Sequence, residues 1–71
     1  MSTKRQKLIT NYKRAREKMN LNQTEFWSRL GITQSTGSRY ESGEYKVPRA
    51  AAVLAHRIYI LGENIDARDY H

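Results

Sequence analysis

The sequence predicts an all-α fold: a compact bundle of four or five short helices containing a helix-turn-helix. Three observations carry this expectation. Apolar residues recur at helical spacing near both ends of the chain, as Leu8, Tyr12, Ala15 and Met19 and again as Ala51, Leu54, Ala55, Ile58 and Leu61; this is the period of an amphipathic helix. Helix starters and stoppers punctuate the chain at short intervals. No stretch has strand alternation, an internal repeat or low complexity.

A first helix is expected from about residue 4 to residue 19, with Lys7, Lys13, Arg14 and Lys18 mostly outside its apolar stripe. Asn20 suits a left-handed stop, because Asn tolerates positive φ better than most residues. The second helix opens on a capping-box pattern, Asn22 with Glu25 three residues on, and Leu21 and Phe26 have the spacing of a hydrophobic staple. It should end near Leu30, with Gly31 making the turn. Thr33 caps a third helix, which carries Glu41 in its last turn and stops at Gly43. Residues 44–47 form a loop. Pro48 opens a fourth helix, where its missing N–H has no partner to lose, and Gly62 ends it. The remainder, ENIDARDYH, forms a short turn of helix behind Asn64 or frays.

The chain has 71 residues, enough for one domain with a modest core at residues 8–61 and a tail at 62–71. Without cysteine it has no disulfide and lacks the usual ligands of structural zinc. This fits a reducing compartment, so the bacterial cytoplasm or nucleoid is the expected location. No apolar run reaches the roughly 18 residues of a membrane span, and no apolar signal-peptide core follows the basic MSTKRQK. Thirteen Lys and Arg against seven Asp and Glu leave a formal charge of +6. Such a surface favours polyanions through counterion release and steering, or is simply a solvated one.

Spacing separates two faces of the third helix at about 100° per residue. Thr33, Gly37, Tyr40 and Glu41 fall on one side, with Thr36 at its border. Ser35, Ser38, Arg39 and Ser42 fall on the other, with Gln34 at the exposed N-terminal edge. The second set is polar and mostly short, which allows close approach to a major groove. Arg39 can pair with guanine O6 and N7, and Gln34 with adenine N6 and N7. The plain alternative is an ordinary solvated helix face. Gln23 at the start of the second helix, with Lys46 and Arg49 beyond the third, adds groups suited to backbone phosphates.

The combined pattern resembles the phage repressor and Cro-type helix-turn-helix family, including its Xre-like group, with a lambda-repressor-like fold. The matching residues are Leu21-Asn22-Gln23-x-Glu25, Gly31-x-Thr33-Gln34, Tyr40-Glu41-x-Gly43 and Pro48, with Arg16 seven residues before Gln23. The resemblance covers about residues 8–61. It implies double-stranded DNA as partner, with Gln34, Ser35 and Arg39 reading bases and Ser38 as an additional candidate. It implies phosphate contacts from Gln23, Lys46 and Arg49, and a structural ion pair between Arg16 and Glu41. Two positions depart from the family. Trp27 stands where Ala is usual, and Gly37 where Ile or Val is usual. A volume swap, with the indole filling the space of the missing side chain, accounts for both; the alternative is that Gly37 bends the helix or admits DNA.

Other chemistry finds little support. Asp66, Asp69 and His71 make a poor metal site, since carboxylates beside a terminal His are usually just solvated. No nucleophile–base pair with a supporting third group is legible, so no enzyme, cofactor or small-molecule ligand is expected. Val53, Arg57 and Ile60 form a second stripe on the fourth helix, and Tyr59, Ile65 and Tyr70 add apolar surface. This surface makes a dimer, or the tail folds back on its own core. The leading expectation is a sequence-specific transcriptional regulator, a small bacterial or phage repressor bound as a homodimer to a palindromic operator. The rivals are an antitoxin-like or antirepressor-like protein-interaction module and a non-specific nucleic-acid binder.

Overall fold

The computed structural model describes residues 8–69. Four α-helices follow one another: α1 (Tyr12–Lys18), α2 (Gln23–Ser28), α3 (Gln34–Ser42) and α4 (Arg49–Ala55). A π-helical turn, His56–Ile60, continues α4, and a 3-10 turn, Ala67–Asp69, lies in the tail. The all-α expectation holds.

The helix ends form where the sequence places polar caps and flexible backbone. Asn22 Oδ1 accepts the Glu25 N–H at 2.7 Å, and Glu25 Oε1 accepts the Asn22 N–H at 3.1 Å, a reciprocal capping box. Thr33 Oγ1 accepts the Thr36 N–H at the start of α3. Asn20 adopts φ 58° after α1. There the Leu21 N–H reaches the Arg16 carbonyl and the Asn20 N–H that of Glu17, both at 3.0 Å, the paired bonds of a Schellman stop. Gly31 takes φ 75° between α2 and α3, a conformation costly for a residue with a Cβ.

Two expectations about the helices need correction. The first helix starts at Tyr12, not near residue 4. Asn11 Oδ1 accepts the Arg14 N–H at 3.1 Å, so Asn11 is an N-cap rather than a helix interior residue. Residues 8–11 are not helical, and residues 4–7 lie outside the described residues. Leu8 is therefore not part of an α1 stripe. The second correction is at the end of α4. In the π turn the Leu61 N–H bonds to the His56 carbonyl, five residues back. The extra residue in that turn rotates the chain beyond it away from the α-helical wheel. Ala55 and Ile58 stay in the core, but Leu61 swings out to 49% exposure.

The core is small and aromatic. Tyr12, Phe26, Trp27, Leu30, Ala55 and Ile58 are buried together, and Ile9, Leu21, Ile32, Tyr40, Val47, Leu54, Tyr59 and Ile65 pack around them. Phe26 stacks on Tyr59 with ring centroids 4.3 Å apart, and meets Trp27 edge-on at 5.0 Å. Large rings bury much area per residue, which helps a chain this short. The described part of the tail packs against the end of α2: Arg29 Nη2 donates to the Ile65 carbonyl and the Ala67 N–H to the Arg29 carbonyl.

Tyr59 ties the π turn to α2, because its hydroxyl donates to the Phe26 carbonyl at 2.7 Å. Burial pushes its phenol up to about 12. A raised folded-state value means the contribution is whole below the ordinary tyrosine value of about 10 and fades as pH rises toward 12. Tyr59→Phe keeps the stacking but strands the Phe26 carbonyl. The expected cost is about 1 kcal/mol, or roughly 4–8 °C in thermal melting at neutral pH. The deficit should shrink above pH 10, and an unchanged melting temperature at neutral pH would remove this bond from the stabilising set.

Candidate nucleic-acid interface

The helix-turn-helix is held from beneath by one carboxylate. Glu41, near the end of α3, has only 4% of its side chain exposed, against 13% for Arg16. Arg16 Nε donates to Glu41 Oε2 at 2.7 Å, and Nη2 to Oε1 at 3.1 Å. Arg16 Nη1 also donates to the Leu21 carbonyl, fixing the α1–α2 connection. Gln23 Nε2 donates to Glu41 Oε1 at 3.0 Å and Trp27 Nε1 to Oε2 at 2.8 Å. Four N–H groups from α1 and α2 thus converge on one α3 side chain. Burial pushes this carboxyl up, but the bonds from Arg16, Gln23 and Trp27, with the charge of Arg16, outweigh it and hold Glu41 below the ordinary carboxylate value.

Trp27 and Gly37 meet directly across α2 and α3. The indole is fully buried. A Cβ built on Gly37 would stand 2.3 Å from Trp27 Cγ and Cδ1 and 2.8 Å from Nε1. The ring occupies the space a side chain would need, and Gly37 is itself buried, facing the core rather than the outer surface. A volume argument from the sequence does not reach the Trp27 N–H bond to Glu41. The available signal is chemical: a buried indole N–H needs an acceptor, and Glu41 is the acidic residue in the last turn of α3.

The outward side of α3 is polar. Gln34, Ser35, Arg39 and Ser42 are exposed, whereas Ser38 is half-buried. Ser38 lines an open notch of about 250 Å³ with Lys13, Arg16, Gln23, Glu41 and Ser42. Lys13, exposed on α1, is thereby a basic group beside α3 that spacing within α3 could not reveal. Gln23 does not stand free at the start of α2. While donating to Glu41, it accepts from Gln34 Nε2 at 2.6 Å. The buried network therefore extends to the first residue of α3 through Gln23. Lys46 and Arg49 are exposed, in the loop after α3 and at the first turn of α4. In that loop Tyr45, which no motif in the sequence singles out, lies against Arg39.

Asp66 accepts both the backbone N–H and the guanidinium of Arg68, which hold its carboxyl at about 2. His71 lies outside the described residues. Among the described residues no cluster of His, Asp or Glu is arranged to hold a metal ion, and no helix is long and apolar enough to cross a membrane.

Comparison with known proteins agrees with this geometry. No curated protein and no solved structure matches the chain significantly. The sequence profile of the RsaL-like HTH domain matches residues 13–56, from α1 through the start of the π turn, well over half of the chain. The match supports the helix-turn-helix part of the phage repressor and Cro-type resemblance, but not that family specifically. With its capped α2, its glycine turn and an α3 that keeps a polar outer side, the chain belongs to the RsaL-like HTH domain family and is a helix-turn-helix DNA-binding domain.

Proposed function

We propose that this protein is a sequence-specific transcriptional regulator, a small bacterial or phage repressor that places α3 in the major groove of a palindromic operator. The observation that carries the reading is the division of α3. Its inner side is fixed by the Glu41 network, and its outer side presents Gln34, Ser35 and Arg39 to solvent. A recognition helix needs both properties, since a base contact discriminates only when its side chain arrives in a fixed register. Gln34 and Arg39 read base edges, Ser35 allows close approach, and Ser38 serves at the border. Gln23 orients Gln34 through their hydrogen bond, as well as lying near a phosphate.

Lys46 and Arg49 neutralise phosphates, joined by Lys13. The kinship with phage repressor and Cro-type proteins belongs to this proposal, as do the homodimer and an address in the cytoplasm or nucleoid. Val53, Ile60 and Leu61, 38–51% exposed on α4 and its continuation, are apolar side chains that a partner copy would cover. A two-fold dimer presents two copies of α3 about 34 Å apart, one DNA turn. Repression then follows from occupancy alone, by blocking polymerase.

Phosphate and base contacts respond differently to mutation. Lys46→Ala should weaken binding to all duplexes alike and reduce the salt dependence of log K by about one unit of slope. Titrations at several salt concentrations, with excess random DNA as competitor, check this. An unchanged slope would remove Lys46 from the phosphate set, and binding abolished by random competitor would remove sequence specificity.

A further inference from the structure

The loop after α3 holds the one long cationic side chain of the outer face. Gly43, at φ 84°, turns the chain back, and the Tyr45 N–H donates to the Arg39 carbonyl at 3.2 Å. That backbone bond places the Tyr45 ring beside the Arg39 side chain. The guanidinium carbon lies 5.4 Å from the ring centroid, within cation–π range, and Nη1 donates to the Tyr45 hydroxyl at 3.3 Å. Glu44 is a weaker partner: its Oε2 is 3.7 Å from Arg39 Nε, beyond hydrogen-bond reach, with both side chains more than half exposed.

An arginine on a helix surface has many rotamers, and a bidentate base contact needs one of them. Tyr45 restricts that choice. Its hydroxyl takes one hydrogen of Nη1, and the guanidinium lies over its ring. The second Nη1 hydrogen and both Nη2 hydrogens have no acceptor among the described residues, and they suffice for a guanine O6/N7 pair. Tyr45 is 46% exposed and absent from the hydrophobic core, so core packing does not account for its position.

We infer that Tyr45 is a positioning residue for base readout: it pre-orients Arg39 and sharpens discrimination at the base pair Arg39 contacts. The inference rests on the proposed reading of α3, and its test separates the two. Duplexes enriched by the wild-type protein from a random library, and their single-base variants, are titrated with wild type, Arg39→Ala, Tyr45→Ala, Tyr45→Phe and the Arg39→Ala/Tyr45→Ala pair.

Tyr45→Ala should lower discrimination about 2- to 10-fold, at the same base pair that Arg39→Ala relaxes and nowhere else. Tyr45→Phe, which keeps the ring face, should restore most of it. The double variant should discriminate no worse than Arg39→Ala alone, and the melting temperature of Tyr45→Ala should stay at the wild-type value. If Tyr45→Ala leaves discrimination at that base pair intact, or weakens all duplexes equally, the positioning role is wrong while readout by α3 stands. If the wild type enriches no sequence, both fall together.

Discussion

Replacing Gly37 by alanine should destabilise this protein, although the same change in an ordinary helix interior stabilises by about 1 kcal/mol. The sign reverses because the new Cβ would lie 2.3 Å from two indole carbons of Trp27. Trp27 is fully buried and hydrogen-bonded to Glu41, so the ring cannot yield without losing packing and a bond to a buried charge. Overpacking of this kind costs about 1–3 kcal/mol and occasionally more, which exceeds the propensity gain; Gly37→Val should be worse than Gly37→Ala. Trp27→Ala should cost about 3–5 kcal/mol, from the cavity and the lost donor. Combined, Trp27→Ala and Gly37→Val should be less harmful than their sum, because each relieves the fault made by the other. A coupling of about 0.5–3 kcal/mol is expected from urea denaturation midpoints in a double-mutant cycle. Strict additivity would mean that the two positions do not exchange volume.

Glu41 carries the second large effect. Glu41→Ala leaves the largely covered Arg16 guanidinium without its carboxylate and strands the donors of Gln23 and Trp27. Losing one partner of a buried ion pair costs about 3–5 kcal/mol, comparable to the whole stability available to a domain of this size. The variant should be largely unfolded at 25 °C by circular dichroism. Acid should act on the same group. The folded-state value of Glu41 is depressed, so its stabilisation is present above the ordinary glutamate value of about 4.3 and is lost as pH falls through the folded value. Arg16→Met/Glu41→Leu, which removes both charges, should retain more structure than Glu41→Ala and unfold less steeply in acid. An acid profile identical to wild type in that pair would assign the acid sensitivity to other carboxylates.

The caps, the glycine turn and the two faces of α3 are legible in the sequence because each depends on residues close along the chain. Asn22 with Glu25, Thr33, Gly31 and Gly43 all act where local chemistry places them. The start of α1 is misleading because Leu8 has helical spacing to Tyr12, while Asn11 offers a competing cap between them. The π turn is illegible for a related reason: a wheel assumes one period, and the His56–Leu61 bond changes it. Contacts between elements are harder still. The pairing of Trp27 with Gly37 comes from comparing unusual residues with a family pattern, whereas the Trp27 N–H bond, the Gln23–Gln34 bond and the Tyr45–Arg39 contact depend on packing that no single helix encodes.

Readout of DNA by the outer side of α3 is tested most directly by selecting bound duplexes from a random library with wild-type protein and Arg39→Ala in parallel. Wild type should enrich one palindromic motif with half-site centres about one helical turn apart. Arg39→Ala should enrich the same motif with preference lost at a single base pair in each half-site. No enriched motif, or an Arg39→Ala motif identical to that of wild type, would contradict base reading by α3.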